Sequence, residues 1–554
     1  MTEKFSHYAL SITQFALLLA SVACGQLFFE FVEEADTYFL MNLGRYILEH
    51  DIPHVDPFTI HENLQLVAQQ WLSGVIFWEA YKNFGVNGLL VVDFIIGAAA
   101  VLIHWRLCLL VSGNRALSFV LSFVIGLFVT PAIVPRPQLF SAPILLIEVF
   151  LLEKFTRTNN FKFLLPLPLI SIALVNLHSA VWLMSLVVCL PFLFVKSIRH
   201  AKFLLAAMAA IFLCGLINPY SVDAMTYVLR SYGVEIINAH VAEMFSPTAH
   251  NVRGKLFYFT AAFLIFSLTK FKVPWRYIFL SGGITFLTLM HIRNWILFCF
   301  LATFPIAYAW RNFKPPKFLA KSGALLPIFF LLLFVDTAVV MTLLKDNLEK
   351  LSAPLEILLA AAILFLLYNL FVAKFDGRLL HPKILPRKIL SLSIVAFVVC
   401  VIFFTTMNHG KQVDGDFTAA MKFLLKSERP ENISLYADQG YGGLAGMFGV
   451  KYYIDSRSEV FIPENNGRKN ILSEYLDFKI GKLNYKNFFA RYKFTHIFIT
   501  NATPFIFDEL SADKNFRVIY ESERVEDYNV VRCKIFVPKN EGNVTLHPDV
   551  APNR

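Results

Sequence analysis

Carboxylates, guanidinium groups and imidazoles recur at the ends of long apolar runs in this chain, where ionisable groups are costly to keep unless they face a cavity or a partner. Asp36 stands about six residues past the first run, in the string EEAD (33–36), with Glu34 two positions before it. A carboxylate beside a bilayer and partly out of water has a raised proton affinity, which suits a general base. The plainer reading of Glu33, Glu34 and Asp36 is an acidic helix end facing solvent. The Glu34-x-Asp36 pair also offers oxygen donors to Mg2+ or Mn2+, although two carboxylates are too few to define a metal site. Further on come Arg136 between two prolines in VPRPQLFS (134–141), Asn176 and His178 in VNLHSAVW (175–182), Asn218 in INPYS (217–221), Glu243 in AEMFSP (242–247), and His291, Arg293 and Asn294 in HIRNW (291–295). Each alone reads as a helix cap or a snorkelling residue. Together they share one face of the predicted bundle, carboxylates at the mouth and cations below. That arrangement suits a phosphate-bearing amphiphile, since guanidinium pairs bidentately with phosphate. Arg136, His178, Glu243, His291, Arg293 and Asn294 are accordingly the candidate substrate-binding residues.

The elements that must position these groups are membrane helices. The chain has 554 residues, 56% of them hydrophobic and only 16% charged, 57 phenylalanines, and a mean hydropathy of +0.57. Soluble domains average about 25% charged residues, so soluble enzymes, nucleic-acid binders and disordered scaffolds are excluded for most of the length. The runs predict about thirteen spans, at 8–30, 86–106, 116–133, 139–153, 163–177, 180–195, 203–218, 255–270, 277–291, 295–310, 323–344, 354–373 and 389–407, each near the length a bilayer requires or short of it. The first is read as a retained helix, because no small-residue cleavage site follows it. Long loops at about 31–85 and 218–254 lie on one side, and WLSGVIFWEAYKNF (71–84) reads as an amphipathic helix at the interface. On the other side short connections hold 21 Lys and Arg, against 9 among the longer loops. The positive-inside rule then places the N-terminus in the cytoplasm and the polar segment after the last span outside. This asymmetry carries nearly all of the net charge of +10, so the basic balance does not argue for nucleic acid.

Residues 1–409 thus form an all-α polytopic domain, and 410–554 a small α/β or α+β domain. In the latter, helix-like stretches (417–427, 470–478) alternate with strand-like ones: ISLYA (433–437), KYYID (451–455), HIFIT (496–500), FRVIY (516–520) and VRCKIFV (531–537). Asp438, Asp455 and Arg457 flank these strands and read as turn and strand-end pairs. The seven cysteines have no zinc or disulfide spacing.

Several strings carry a resemblance: Asp36 followed by LGRYILEHDIPHVDPFT (43–59), QQWL (69–72), RPQLFS (136–141), NLHS (176–179), INPY (217–220), QGYGGLA (439–445) and YIDSRSEVF (453–461). In this order, over most of the chain, the sequence resembles bacterial GT-C-type integral-membrane glycosyltransferase-like proteins. The resemblance implies a GT-C-like fold, a catalytic Asp or Glu on the first outer loop, and a lipid-linked sugar donor. Carried to this chain, Asp36 is the base and Glu34 a second carboxylate. Where the family string has an acidic residue before Trp-Leu this chain has Gln70, and the WWDYG-like motif of oligosaccharyltransferases is absent, so peptide glycosylation is not expected.

The expectation is a transferase on the outer face of a bacterial inner membrane. It would move a sugar from a polyprenyl-phosphate donor to a glycan or lipid acceptor of the envelope. Two other classes fit the composition. A lipid-linked-glycan transporter would show polar groups at both faces, and a non-catalytic envelope scaffold would tolerate loss of Asp36.

Overall fold

The computed structural model describes residues 34–129, 132–194, 197–313, 415–467, 470–526 and 529–539, with residues 14, 15, 18, 19 and 21–23 of the first apolar run. The expected spans at 323–344, 354–373 and 389–407 lie outside the described residues, as does most of 8–30.

The membrane part is helical: α1 (Ala35–Glu49), α2 (Trp71–Phe84), α3 (Val86–Ser112), α4 (Arg115–Val129), α5 (Gln138–Thr158), α6 (Leu167–Cys189), α7 (Ile198–Gly215), α8 (Val222–Ser231), α9 (Val252–Lys270) and α10 (Trp275–Met290), then helical turns over Ile292–Ala309. Local chemistry sets the ends. Gly113 and Asn159 terminate α3 and α5 in the left-handed conformation, and Ser197 and Asn251 side chains cap the first turns of α7 and α9. Among the described residues, five helical stretches are long and apolar enough to cross a bilayer: Val86–Ser112, Phe161–Leu193, Ile198–Gly215, Val252–Lys270 and Ile292–Ala309.

The second of these stretches is not one straight rod. At His178 the backbone leaves the helical region (φ −158°, ψ 77°). The Trp182 indole donates to Ser171 Oγ at 2.8 Å, yet eleven residues along an unbroken helix would separate them by about 16 Å. The chain therefore folds back at His178, in the two-residue gap between the expected spans 163–177 and 180–195.

The tail builds a five-stranded mixed sheet in the order β2-β1-β3-β5-β4, from β1 (Ser434–Tyr436), β2 (Lys451–Tyr452), β3 (His496–Thr500), β4 (Phe516–Glu526) and β5 (Asn529–Pro538). β1 runs parallel to β2 and β3, with Leu435 opposite Tyr452 and Tyr436 opposite Ile497; β5 is antiparallel to β3 and β4. α11 (Gly415–Leu424) and α12 (Gln439–Met447) pack on this sheet's side of the molecule. The KYYID run becomes strand only at Lys451–Tyr452, because Tyr453–Arg457 turns away to form an ion-pair cluster.

The tail is fused to the first loop. Thr59 bridges Tyr452 in parallel, with Ile60 N donating to Tyr452 O at 3.0 Å, so the loop extends the β2 edge. One apolar core joins Leu64 and Leu66 of the first loop, Ile237 and Met244 of the second, and Tyr453, Phe461 and Phe488 of the tail. On the other side α12 lies directly on α1. Its sequence, QGYGGLAGM, reads as a turn by its glycines, but those glycines make the packing possible. A Cβ at Gly443 would stand 2.8 Å from Ala35 O, and one at Gly446 2.3 Å from Asn42 Nδ2. Arg45 closes the contact from α1, donating to the carbonyls of Gly446 (2.8 Å) and Met447 (2.9 Å), the exposed C-terminal end of α12.

Candidate active site

α1 is buried all round from Thr37 to Gly44, so its N-terminus is held rigidly. Glu34 and Asp36 sit at that end, where the helix dipole favours negative charge. Thr37 Oγ1 donates to Pro135 O at 3.3 Å, tying the start of α1 to the V-P-R-P string. There the prolines fix the backbone on both sides of Arg136 and lead into α5.

Arg136 is the hub. It bonds Asp36 Oδ2 at 3.2 Å and also pairs with Glu34 and Glu243, the latter from the second loop. Three carboxylates face one guanidinium, so the group is net negative when all are ionised. Asp36 keeps 36% of its side chain exposed and Arg136 only 20%. Burial alone would lower the proton affinity of Arg136, but Asp36, Glu243 and Glu34 together outweigh it and hold the guanidinium charged. Burial pushes the Glu34 carboxyl above its ordinary range, against the opposing pull of Arg136.

A second set of groups lies beside this hub. His178, at the hairpin bend, shares a 2.6 Å hydrogen bond between Nδ1 and Ser141 Oγ. The bend is latched to the QQWL string: Ser179 N donates to Gln69 O (2.9 Å), Ser73 Oγ to Leu177 O (2.7 Å), and Trp71 Nε1 to Asn176 Oδ1 (2.9 Å). Asn176 in turn donates to Ile217 O (2.9 Å), and Tyr220 OH to Pro53 O (2.8 Å), so INPY joins the same corner. His291 Nδ1 lies 2.7 Å from Met244 O, and Ile292 N donates to Phe245 O, which fastens HIRNW to the second loop next to Glu243. Asn294 turns its amide onto the carbonyls of Leu287 and His291, capping α10. Arg293 contacts Met244 Sδ at 3.6 Å and, among the described residues, has no carboxylate within ion-pairing distance. It lies within electrostatic reach of His178 and of Glu459.

Glu459 is the residue that reasoning from the sequence missed. It belongs to the tail, in YIDSRSEVF, and accepts a hydrogen bond from Gln69 Nε2 at 3.2 Å. Burial raises its proton affinity, Arg293 works against that, and the charge of Asp36 adds to it. Its signal in the sequence is the string itself, in which Asp455 and Arg457 read as a strand-end pair. Those two pair with each other instead. Arg457 bonds Asp455 (2.6 Å) and Asp56 (2.6 Å), stacks over Phe39 at 4.2 Å, and is buried with both partners.

No group of three or more His, Cys, Asp or Glu among the described residues is arranged to hold a metal ion. Glu34 and Asp36, the two carboxylates expected to offer oxygens to a divalent cation, both turn to Arg136.

No family model and no curated protein matches the chain. Solved structures do. ArnT from Cupriavidus metallidurans in the apo state is 11% identical, covers 96% of this chain and 98% of its own, and superposes with a TM-score of 0.55. The same protein bound to undecaprenyl phosphate gives 9% identity, 96% and 97% coverage, and a TM-score of 0.51. At such identity the likeness is one of fold. The chain is a multi-pass membrane protein with a fold similar to that of ArnT over most of its length.

Proposed function

We propose that the chain is a GT-C-type glycosyltransferase that takes a sugar from a polyprenyl-phosphate donor and passes it to a glycan or lipid of the bacterial envelope. The observation that carries this reading is the pairing of opposites at one corner. Asp36 stands partly exposed in a net-negative cluster, and Arg293, which like Asp36 is within electrostatic reach of Glu459, has no carboxylate at ion-pairing distance among the described residues. The fold neighbour with undecaprenyl phosphate bound supports the choice of lipid.

In this reading an Asp36 oxygen takes the proton of the acceptor hydroxyl as that oxygen attacks the anomeric carbon. The bond from that carbon to the lipid phosphate breaks, and the phosphate leaves with both electrons of the bond toward Arg293. Fixed positive charge aimed at the leaving group lowers the barrier because no reorganisation is needed at the moment of reaction. Attack opposite the leaving group inverts the anomeric centre. Arg136 has a different task from the phosphate binding first expected of it: it holds Asp36, Glu34 and Glu243 in place. His291, with Nδ1–H given to Met244 O, offers the phosphate a donor only as the imidazolium. The topology rule puts this corner on the outer face of the inner membrane.

The test is the envelope glycan profile of a strain lacking the chain. A sugar missing on deletion, restored by the wild type and not by Asp36→Asn, supports the reading. An unchanged profile on deletion, or full restoration by Asp36→Asn, overturns it.

A further inference from the structure

Glu459 reaches the corner from a tail that is far from Gln69 in sequence and is docked on the first loop and α1. Its string is anchored by Arg457 between Asp455 and Asp56, and α12 is clamped on α1 by Arg45 and the close glycine contacts. Among the described residues the only side chain bonded to the Glu459 carboxylate is Gln69, through Nε2. The other end of that amide is open: Gln69 is 6% exposed, and its Oε1 has no hydrogen-bond partner among the described residues. A buried amide oxygen without a partner costs free energy that a ligand donor can recover. Gln69 is itself fixed through its carbonyl to Ser179 N, beside His178. Two acceptors, one a carboxylate and one an amide oxygen, thus stand together on one contact, with Glu459 within electrostatic reach of both Asp36 and Arg293.

We infer that Glu459 and Gln69 form a sugar-binding subsite contributed jointly by the tail and the first loop, which accepts hydrogen bonds from hydroxyl groups of the transferred sugar. The inference rests on the donor reading above. Its ligand is a polyol, because adjacent hydroxyls are the donors that a carboxylate and an amide oxygen accept side by side. The subsite gives the tail a role in substrate recognition: it closes the site with a wall that reads the sugar, while Arg293 reads the phosphate. Glu459 and Gln69 bind and position, and neither takes part in bond making.

The experiment uses the full chain in nanodiscs and two kinds of probe: undecaprenyl phosphate, and a panel of undecaprenyl-phosphate hexoses and pentoses. The wild type is expected to bind at least one sugar-bearing lipid about tenfold more tightly than undecaprenyl phosphate. Glu459→Gln, which keeps the shape, and Gln69→Leu, which removes the free acceptor, should each erase most of that difference while leaving the affinity for undecaprenyl phosphate within about twofold. If both probes weaken equally, Glu459 only docks the tail and the subsite is refuted. If no sugar-bearing lipid outbinds undecaprenyl phosphate in the wild type, there is no sugar subsite, although the lipid reading survives. If the wild type binds no undecaprenyl phosphate, the donor reading falls and takes the subsite with it.

Discussion

Two arginines grip carboxylates around α1, and they differ in burial and in charge balance. Arg457 faces two, Asp56 and Asp455, and all three side chains are nearly or wholly out of water, the arginine 7% exposed and the aspartates 0%. Every oxygen there is in use: Asp56 also accepts from Thr59 N and Oγ1, and Asp455 from Tyr452 OH. Burial alone would strip charge from Arg457, but Asp455 and Asp56 hold it firmly ionised. Arg136 faces three carboxylates, at the open end of the same helix, and Asp36 among them keeps 36% of its side chain exposed. A closed cluster with its partners saturated can only hold structure. An open cluster with surplus negative charge has a proton acceptor to spare. The same residue types therefore do different work according to how many partners they have and whether water or a substrate can enter.

The largest effect should come from breaking the open cluster at its exposed member. Asp36→Asn keeps the volume and loses the proton acceptor, so transfer should fall by about 10²–10⁴-fold, the usual cost of losing a general base. Thermal unfolding in detergent should barely move. A variant that transfers at the wild-type rate would remove Asp36 from the chemistry and erase the distinction between the two clusters.

Next comes the closed cluster. Arg457→Met leaves Asp56 and Asp455 buried without a partner, which costs about 3–5 kcal/mol. The tail should become sensitive to limited proteolysis at temperatures where the wild type resists. Adding Asp56→Asn and Asp455→Asn removes the stranded charges and should recover much of that stability. If Arg457→Met were as stable as wild type yet inactive, Arg457 would belong with the chemistry and the comparison would fail.

The two clusters also mark how far the sequence could be read. Apolar runs fix the depth of whatever lies at their ends, so Asp36, Arg136, Glu243 and Arg293 were already assigned to one face, and the bend at His178 followed from how little chain separates its two arms. The choice of partners was not legible. Nothing in VPRPQ says that Arg136 meets three carboxylates while Arg293, among the described residues, has none at ion-pairing distance, because partner choice depends on side-chain reach across loops of unknown path. Glu459 was hidden for the same reason. α12 was hidden by its glycines, which argue locally for a turn and are helical here because only they let the helix lie on α1. Once that contact is known, the arginine in LGRYILEH has an account too, as the clamp on the end of α12.

That clamp supplies a smaller prediction. Arg45→Met keeps much of the stem over Trp78 but loses the charged donors to Gly446 and Met447. Hydrogen bonds to a charged group contribute about 1.5–3 kcal/mol, so unfolding should come at a lower temperature than in wild type, though less so than in Arg457→Met. Sugar transfer, measured where the chain is folded, should survive. A loss of transfer without a loss of stability would instead place Arg45 in the substrate path.

The smallest effect concerns pH, and it separates the tail from the open cluster. His496 lies in β3, 2% exposed, with Nδ1 beside Thr495 Oγ1 and Nε2 without a hydrogen-bond partner among the described residues. Burial lowers its pKa to about 4, whereas an unfolded histidine titrates near about 6.5. Between these values the unfolded chain binds the proton that the folded chain refuses, so stability falls as the pH drops from about 6.5 toward 4 and is regained as the pH rises. Over the first pH unit of that window the loss stays below about 1.4 kcal/mol. Unfolding midpoints of the full chain at pH 7, 6 and 5 should therefore decline with acidity. His496→Leu, which has no proton to take up, should flatten the decline without changing how transfer depends on Asp36. A slope that persists in His496→Leu would assign the acid sensitivity to other groups, and the raised carboxyls of Glu34 and Glu459 would not supply it. Their folded pKa lies above the unfolded value, so they favour the folded chain as the pH falls.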